Sequence, residues 1–557
     1  MDYNKLAELL FPHIKGLPED IEARFPRREL PEGAKVTRIA PSPTGFMHFG
    51  TLFPARIAER LAHQSGGVFY LRIEDTDSKR EVKGAEKDII ETLAYYQIHF
   101  DEGALADEKE FGVYGPYRQS QRGEIYQTYA KQLVREGKAY PCFTTEEELM
   151  ALHATDKKAE IKNKDWHNNP DTEKEEIKKL RNITYEEAEE QMKKGNPFVL
   201  RILSDGDPER KTPFGDLIKG KLEVPENDED FVLLKSDGIP TYHFAHAIDD
   251  HLMGTTHVIR GEEWLPSLAK HIMLFKYLNF KLPKYMHIAQ LMKMEGNSKK
   301  KLSKRDNGAA VSDYRENGYP PVSVNEYVMT LLNSNFEEWR NANVDKAYTE
   351  FPFSIKKMST SGALFDFDKL NDVSKNAISR MTADEVYAGV LEWAEEYDVP
   401  FAELLKAKPD YAKSILAIGR GGKKPRKDFA VWKDVKPYMA YFYDELFEME
   451  DTGMFENFAK EDVKAILTKF AENYDENDDN NTWFEKIKVI SEELGFASDM
   501  KAYKANPENF KGNVSDVSCL LRIAVTGRTN SPDMHEIMRI LGKETVLKRL
   551  NKTAETL

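Results

Sequence analysis

The sequence predicts a multidomain protein in which an α/β region with a parallel sheet, interrupted by an insertion, is followed by an all-helical region. Three observations support this fold class. A strand, a helix and a second strand follow one another within residues 36–75, which is a βαβ unit. Charged segments interrupt the sheet pattern over residues 118–228. From about residue 323 onward, the chain is one amphipathic helical pattern after another.

The first elements lead into the predicted sheet. Residues 3–10 form a helical pattern, and a Pro-rich tether follows it and ends at residues 31–33. The strand VTRIA (36–40) precedes the loop PSPTGFMHFG (41–50), and the next helix is predicted over residues 51–64, with Pro54 in its first turn. The strand VFYLRIED (68–75) is apolar on both faces, which is typical of a buried parallel strand.

The insertion and the second half of the sheet follow. The insertion contains two charged helical patterns, at 145–158 and 184–194, and a short strand at 198–202. The sheet pattern resumes with the strand FVLLK (231–235). It continues with the elements at 241–253 (helix), 256–261 (strand), 262–278 (helix) and 285–291 (strand).

The C-terminal half shows helix-start signals and one acidic run. Capping boxes are predicted at Ser323/Glu326, Thr382/Glu385 and Thr482/Glu485. The acidic run 472–481 is interpreted as a solvated hinge between two helical modules. The predicted segments are therefore 1–35, 36–117, 118–228, 229–292, 293–380, 381–475 and 476–557.

Composition excludes several classes of protein. With 557 residues, 40% apolar and 31% charged, the chain is typical of a globular protein of three to four domains. No apolar run approaches the length of about 18 residues that a membrane helix needs, and the N-terminus lacks a secretory signal pattern. We therefore expect a cytoplasmic protein without a membrane partner. Cys142 and Cys519 have no nearby Cys or His partner, which argues against a disulfide framework and a zinc ribbon.

The net charge of −15 repels nucleic acid overall. Any RNA must therefore be held by local basic patches, which occur at residues 299–305 (KKKLSKR) and 420–427 (RGGKKPRK). The second patch contains Gly and Pro, so it is predicted to be a loop that can follow a phosphate backbone. A solvated basic turn is the alternative.

Four polar features come to the carboxyl edge of the predicted sheet, where open parallel sheets bind ligands. They are Ser42 to His48, Glu74, the helix with Tyr242 and His246, and Arg260. The first loop brings His48, Gly50 and Thr51 to a helix N-terminus, which favours a phosphate. Together with the lysines of KLSKR (301–305) it indicates a triphosphate site, although no G-x-x-x-x-G-K-[ST] element is present. Taken singly, these two segments are also explained as a plain connection and a solvated charge run.

These motifs resemble those of the glutamyl-tRNA synthetases of bacterial type, a family of class I aminoacyl-tRNA synthetases. The resemblance rests on PSPTGFMHFGT, LRIEDTD (71–77), YGPYRQSQR (114–122), THVIRGEEW (256–264) and KLSKR, and returns at 520–542. HFGT (48–51) corresponds to the H-I-G-H element of this family, and KLSKR (301–305) corresponds to its K-M-S-K-S element. The resemblance implies a Rossmann-like catalytic domain (36–117 and 229–292), an insertion that binds the tRNA acceptor end, a stem-contact domain at 293–380 and helical anticodon-binding modules.

The resemblance also implies residue roles. The glutamate pocket is implied to contain Arg38, Ala40, Ser42, Glu74, Tyr242, His246 and Arg260, with Glu74 on the α-ammonium. ATP is implied to meet His48, Gly50, Thr51, Glu263, Lys301, Ser303 and Lys304, of which His48, Lys301 and Lys304 are catalytic. The family usually has Asn in place of His246, and a histidine beside a bound carboxylate is expected to favour its charged form. Whether Arg38 or Arg260 meets the side-chain carboxylate stays open.

The implied reaction is the attack of the glutamate α-carboxylate on ATP-Mg²⁺, followed by transfer of the glutamyl group to tRNA-Glu. The implied partners are L-glutamate, ATP and tRNA-Glu, and we expect a monomer without zinc. We expect tRNA to contact Arg420, Lys423, Lys424, Arg426 and Lys427.

Three other functions are alternatives to this one. A glutaminyl-tRNA synthetase shares the catalytic fold, but Arg260 suits a carboxylate and the helical C-terminal half differs from that enzyme's β-barrels. A tRNA-modifying glutamyl transferase would lack the long C-terminal region. A non-enzymatic RNA-binding paralogue is expected to have lost His48 or the KLSKR lysines, all of which are present.

Overall fold

The computed structural model describes residues 2–77, 79–145, 148, 177–302 and 310–557. The chain divides into two compact units. The first contains residues 1–312 and 328–366, and the second contains residues 313–327 and 367–557. The predicted helix at 145–158 lies outside the described residues, apart from Thr145 and Glu148.

The described strands all belong to the first unit. They are β1 (Val36–Ile39), β2 (Val68–Leu71), β3 (Glu102–Ala104), β4 (Glu110–Phe111), β5 (Ala139–Cys142), β6 (Val199–Ile202), β7 (Lys211–Asp216), β8 (Gly220–Pro225), β9 (Val232–Leu234), β10 (His257–Gly261), β11 (Lys284–Ile288), β12 (Met292–Glu295) and β13 (Ser298–Lys301).

The described helices run through both units. Those before residue 300 are α1 (Tyr3–Leu10), α2 (Pro18–Arg24), α3 (Phe49–Gln64), α4 (Ala85–Tyr95), α5 (Gly123–Arg135), α6 (Tyr185–Lys193), α7 (Tyr242–Leu252) and α8 (Leu268–Tyr277). Those after it are α9 (Val311–Asn317), α10 (Pro321–Leu332), α11 (Phe336–Ala342), α12 (Phe367–Arg380), α13 (Ala383–Tyr397), α14 (Val399–Ala407), α15 (Pro409–Leu416), α16 (Val435–Met439), α17 (Lys460–Asn473), α18 (Asn480–Glu493), α19 (Met500–Ala505), α20 (Val514–Thr526), α21 (Met534–Leu541) and α22 (Lys543–Thr556).

The predicted parallel sheet is confirmed. β1 pairs with β2 in parallel, with Val36 opposite Val68, and β3 extends the parallel set before the short antiparallel edge strand β4. β10 and β11 form a second parallel pair. The N–H of Thr256, just before β10, donates to the Val36 carbonyl at 3.0 Å, so this pair lies beside β1. The carboxyl ends of β1 and β10 therefore meet at one edge, between the two halves of the sheet.

The strand predicted at 231–235 is present as β9, but its partners differ from the expectation. β9 pairs antiparallel with β6, and β6 pairs antiparallel with β5, so these strands form a separate sheet of the insertion. The sequence pattern identifies a half-buried strand but does not specify its neighbour. The insertion also contains the antiparallel hairpin β7–β8, which packs on β10, β11 and α8 through Phe214 and Val224.

The N-terminal segment is folded onto α5 rather than extended. The helix predicted at residues 3–10 is confirmed as α1, and Asp2 caps it. A second helix, α2, lies within the predicted tether. The Lys131 Nζ of α5 donates to the Glu8 carboxylate and to the carbonyls of Phe11 and Ile14, at 2.9, 3.0 and 2.7 Å. Buried ammonium donors of this kind tie the segment to the first unit.

The helical region contains one continuous hydrophobic core. Residues of the predicted modules 381–475 and 476–557 pack together in it, among them Trp432, Phe470 and Leu520. The acidic run is therefore not a free hinge, since Tyr474 is buried and the Asp478 carbonyl lies 2.7 Å from His535 Nε2.

One of the three predicted capping boxes is confirmed, at Thr382/Glu385. The other two are wrong. α18 begins earlier, after Asp479, whose carboxylate accepts from the Thr482 N–H. α10 begins at Pro321, which places Ser323 inside the helix.

Candidate active site

A buried group of charges lies at the carboxyl edge of the sheet. Arg38 is on β1, Arg72 and Glu74 follow β2, and Asp250 comes from α7. The Asp250 carboxylate lies 3.2 Å from Arg38 Nε and 2.8 Å from Arg72 Nη1, and Arg72 Nη2 donates to Glu74 at 3.1 Å. The structure thus brings together the predicted residues Arg38 and Glu74 through two residues that sequence reasoning did not select.

Burial and neighbouring charges set the ionisation of this group. Burial opposes the charge of Asp250, but Arg38 and Arg72 outweigh it and hold the pKa of that carboxyl well below its usual range. Burial raises the pKa of Glu74, although Arg72 and Arg38 act against it. A cationic ligand group beside Glu74 would favour its charged form, which is the chemistry that an ammonium requires.

Arg260, at the end of β10, has different partners. Its Nε donates to His287 Nε2 and its Nη1 donates to His271 Nδ1, both at 2.9 Å. The guanidinium also lies 4.7 Å from the centre of the Tyr285 ring. Arg38 and Arg72 lie within ion-pair distance of carboxylates, whereas Arg260 has no ion pair within the described part of the chain. The site therefore contains a buried cation whose charge is available to an anionic ligand.

His246 is fully buried on α7, next to Tyr242. Its Nδ1 lies 3.0 Å from Asp250 and its Nε2 lies 2.9 Å from the Tyr285 hydroxyl. The Tyr242 ring stacks on it with centres 5.7 Å apart, and Tyr242 also lies 4.4 Å from the ring of Trp264. Burial lowers the pKa of His246 to about 4, despite Asp250. Burial therefore favours the neutral ring at this position, and the expectation for a ring beside a bound carboxylate stays a prediction.

The first loop ends at the N-terminus of α3. The helix begins at Phe49, two residues before the prediction, with His48 in the N-cap position, so Thr51 is in its first turn and Pro54 in its second. A Cβ atom at Gly50 would lie 2.9 Å from His48 Nδ1, so glycine leaves room for this ring. Of the other predicted loop residues, Ala40 is half-buried and Ser42 is exposed.

Glu263 and Lys301 lie on the segments that follow β10 and β11. Glu263 belongs to the 3₁₀ helix Glu262–Ser267, and a Cβ atom at Gly261 would collide with its carboxylate. Glu263 accepts from Gln290 Nε2 at 3.4 Å. Lys301 ends the exposed hairpin β12–β13. The predicted residues Ser303 and Lys304 lie outside the described residues.

Six further charged or histidine side chains complete the site and were not predicted. They are Arg72, Arg122, Asp249, Asp250, His271 and His287. Their signal in the sequence is charge within otherwise apolar patterns, as in LRIED and HAIDDH. Buried charges must be paired, so such positions indicate an internal ionic network.

The basic loop 420–427 is confirmed as a loop, and Gly419 accepts from the Arg426 N–H at its base. The guanidinium of Arg420 is engaged within the helical unit, since it donates to the carbonyls of Leu416 and Ile378, both at 2.7 Å. Arg426 pairs with Asp428 at 2.7 Å. The three lysines of the loop are exposed and make no ion pair within the described part: Lys423, Lys424 and Lys427.

Comparison with known protein families defines the class of the protein. Residues 35–372 match the catalytic domain of the class I tRNA synthetases (E and Q), and residues 424–554 match an anticodon binding domain. The fold and these matches make the chain a class I aminoacyl-tRNA synthetase. The sheet, its insertion and the helical C-terminal region are the parts expected of that class.

Relatives that match over the full length identify the family within this class. A glutamate–tRNA ligase of Clostridium perfringens (strain SM101) is 49% identical, with 99% of each chain covered, and one of Acetivibrio thermocellus is 50% identical, with 99% of this chain and 100% of the relative covered. The chain therefore belongs to the glutamate–tRNA ligase family. A glutamate tRNA ligase structure from Elizabethkingia meningosepticum, in complex with its amino acid, matches with a TM-score of 0.74 and 28% identity over 94% of this chain and 99% of that one.

Proposed function

We propose that this protein attaches L-glutamate to tRNA-Glu in two steps. ATP-Mg²⁺ and glutamate first give glutamyl-adenylate and pyrophosphate, and the glutamyl group then passes to the terminal ribose of the tRNA with release of AMP. Family membership supports the reaction. The buried Arg260 supports the choice of glutamate, because a guanidinium that pairs with no carboxylate among the described residues suits an anionic side chain better than an amide.

The amino-acid pocket is proposed to offer opposite charges to two of the three ionic groups of glutamate, one carboxylate and the ammonium. Arg260 receives a carboxylate and Glu74 receives the α-ammonium. Arg38 is held by Asp250, so its charge is largely compensated inside the protein. Ala40, Ser42 and Tyr242 are proposed to line the pocket at the same edge of the sheet. The fully buried His246 stacks on the Tyr242 ring and is proposed to hold it in position.

ATP is proposed to lie at the N-terminus of α3, beside His48, Gly50 and Thr51. The dipole of that helix favours phosphate. Glu263 is proposed to contact ATP, and the lysines of 301–305 are proposed to contact its phosphates. The roles of Lys301, Ser303 and Lys304 in binding ATP rest on the resemblance of KLSKR to the family's motif.

No protein nucleophile is needed for this chemistry, since the substrate carboxylate itself attacks the α-phosphate. The protein is proposed to act by positioning the two substrates and by placing cations where charge develops. Mg²⁺ would be brought by ATP, whose phosphate oxygens are ligands of the kind that this ion prefers, and it would supply positive charge there. His48 and the two lysines are the proposed catalytic residues.

For tRNA, we propose that Lys423, Lys424 and Lys427 contact the phosphate backbone. Their side chains are exposed on a loop at the edge of the matched anticodon binding domain. We further propose a monomeric, cytoplasmic enzyme. Within the described part of the chain, no helix combines the length and apolar character needed to cross a bilayer.

One experiment tests the proposed amino acid and tRNA together. ATP–pyrophosphate exchange is measured with glutamate or glutamine, each with and without tRNA-Glu. Exchange and tRNA charging that depend on glutamate support the proposal, whereas a preference for glutamine would indicate the glutaminyl alternative. Binding of tRNA without either reaction would indicate a non-enzymatic RNA-binding protein.

A further inference from the structure

Arg260 lies between two histidine rings, and its hydrogen bonds determine which nitrogen of each ring carries the proton. A guanidinium only donates hydrogen bonds. His271 Nδ1 and His287 Nε2 must therefore both be unprotonated acceptors. The remaining proton of His271 is on Nε2, which lies 3.0 Å from Nδ1 of His243, and the remaining proton of His287 is on Nδ1, which lies 2.7 Å from an oxygen of Asp216.

Asp216 is itself fixed by the insertion. It ends β7, and its Oδ1 accepts from the N–H groups of Ile218 and Lys219 at 2.9 and 2.7 Å. Its Oδ2 accepts from the backbone N–H of His287 at 3.2 Å as well as from the ring. The turn of the β7–β8 hairpin thus determines which nitrogen of His287 faces Arg260.

The two rings are neutral as well as oriented. Burial lowers the pKa of both His271 and His287, and both side chains are fully buried. Neutral acceptors hold a guanidinium in place without compensating its charge, whereas a carboxylate in the same position would form an ion pair with it.

We propose that His271 and His287, with Asp216 behind His287, are specificity-determining positioning residues that hold Arg260 through neutral acceptors and so leave its charge for a carboxylate of glutamate. This inference rests on the proposed glutamate chemistry. It adds that the discrimination of a carboxylate from an amide depends on residues that do not touch the amino acid. It also makes the β7–β8 hairpin of the insertion part of the amino-acid pocket.

The sharpest test compares two variants of equal shape, His271→Asn and His271→Asp. The Asn side chain can present an acceptor near the position of Nδ1, and the Asp side chain presents a charged one. We expect His271→Asn to keep the KM for glutamate within about fivefold of wild type, and His271→Asp to raise it by about 10²-fold, with the KM for ATP changed less than about threefold in both. Equal glutamate KM values in the two variants would overturn the proposal.

The second pair is His287→Gln and His287→Leu, which keeps or removes the acceptor near Nε2. We expect the Leu variant, but not the Gln variant, to lose at least about tenfold in the kcat/KM ratio of glutamate over glutamine. Equal loss in both would indicate a merely structural ring and overturn the proposal. The control pair is His257→Asn and His257→Asp, because His257 is on the same strand as Arg260, three residues earlier, and bonds to Thr256.

These experiments distinguish a failure of the proposed function from a failure of the inference about the histidines. If the wild-type protein shows no glutamate-dependent exchange at any tRNA concentration, the proposed function fails before the variants are compared. If the wild type activates glutamate and the paired variants behave alike, only the inference about the histidines fails. Thermal unfolding of each variant shows whether a loss of activity comes from loss of the fold.

Discussion

Nδ1 of His246 lies 3.0 Å from Oδ2 of Asp250, one turn further along α7, and both side chains are fully buried. Asp250 is also the carboxylate that holds Arg38 and Arg72. A proton on His246 would therefore add a third cation around one carboxylate, inside the protein. Burial lowers the pKa of His246 to about 4 for the same reason that it disfavours any added charge here.

This relationship predicts how stability depends on pH. The ordinary pKa of histidine is about 6.5, so above pH 6.5 the His246 ring is neutral in both the folded and the unfolded protein. As the pH falls from 6.5 towards 4, the unfolded chain binds a proton that the folded chain does not. The free energy of unfolding should therefore decrease, by up to about 1.4 kcal/mol per pH unit for this group.

The variant His246→Asn removes that titration. Urea unfolding followed by circular dichroism between pH 7.5 and about 5 should show a shallower loss of stability than wild type. His243 and His257, whose pKa values burial lowers to about 3 and about 4, should continue to contribute in the same direction. The exposed His13→Asn variant is the control. An unchanged slope in His246→Asn would contradict the prediction.

Replacement of Arg260 should affect glutamate far more than ATP. Truncating one partner of a buried ionic contact costs roughly 3–5 kcal/mol. For Arg260→Ala we expect kcat/KM for glutamate to fall by about 10²- to 10³-fold, with little change in the KM for ATP. Steady-state exchange kinetics measure both values. A decrease of less than about fivefold would remove Arg260 from the proposed carboxylate contact.

The exposed lysines of loop 420–427 should contribute to tRNA affinity through counterion release. Each of Lys423→Ala and Lys424→Ala should reduce the slope of log Kd against log salt by about 0.7–0.9 and weaken different tRNAs to a similar extent. Filter binding or fluorescence titration over a range of salt concentrations gives this slope. Unchanged slopes in both variants would indicate that the loop is solvated and does not contact tRNA.

Two controls accompany this measurement. Lys469→Ala removes an exposed lysine that pairs with Glu493 on a helix, and it should leave the slope as in wild type. Arg420→Ala should act on folding instead, because it removes the bonds to the carbonyls of Leu416 and Ile378. We expect it to lower the thermal midpoint without altering the salt dependence.

Metal content is a further prediction. The sequence of the insertion lacks a Cys/His ligand set of the kind that structural zinc sites use. We expect elemental analysis of the purified protein to find no stoichiometric zinc and Mg²⁺ alone to support activity. One zinc per chain, lost together with activity on chelation, would contradict this.

The sequence was most informative where local pattern determines structure. Alternation and apolar runs located β1, β2, β10 and β11. The polar residues of these strands also predicted that Arg38 and Glu74 would lie close together, and the structure joins them through Arg72 and Asp250. The partners of Arg260, His271 and His287, were not predicted. The partner of β9 was not predictable, because a strand pattern defines faces and not neighbours. The start of α18 was missed because Asp479 and Thr482 both fit a helix cap, and only three-dimensional packing selects one.

The division of the chain has a consequence for how such a protein can be recombined. The polypeptide passes between the two units after residues 312, 327 and 366. Residues 313–327 belong to the helical unit, where Glu326 accepts from Arg380, the Gly318 carbonyl accepts from the Trp432 N–H, and the Glu316 carbonyl accepts from Trp393 Nε1.

A fragment that begins at residue 367 would therefore leave the groups on Arg380, Trp432 and Trp393 without these acceptors. The helical unit therefore cannot be separated from the rest of the chain by a single cut in the sequence. An exchange of this unit between related enzymes has to carry the short upstream stretch as well, which makes a single crossover an unfavourable route to a new combination.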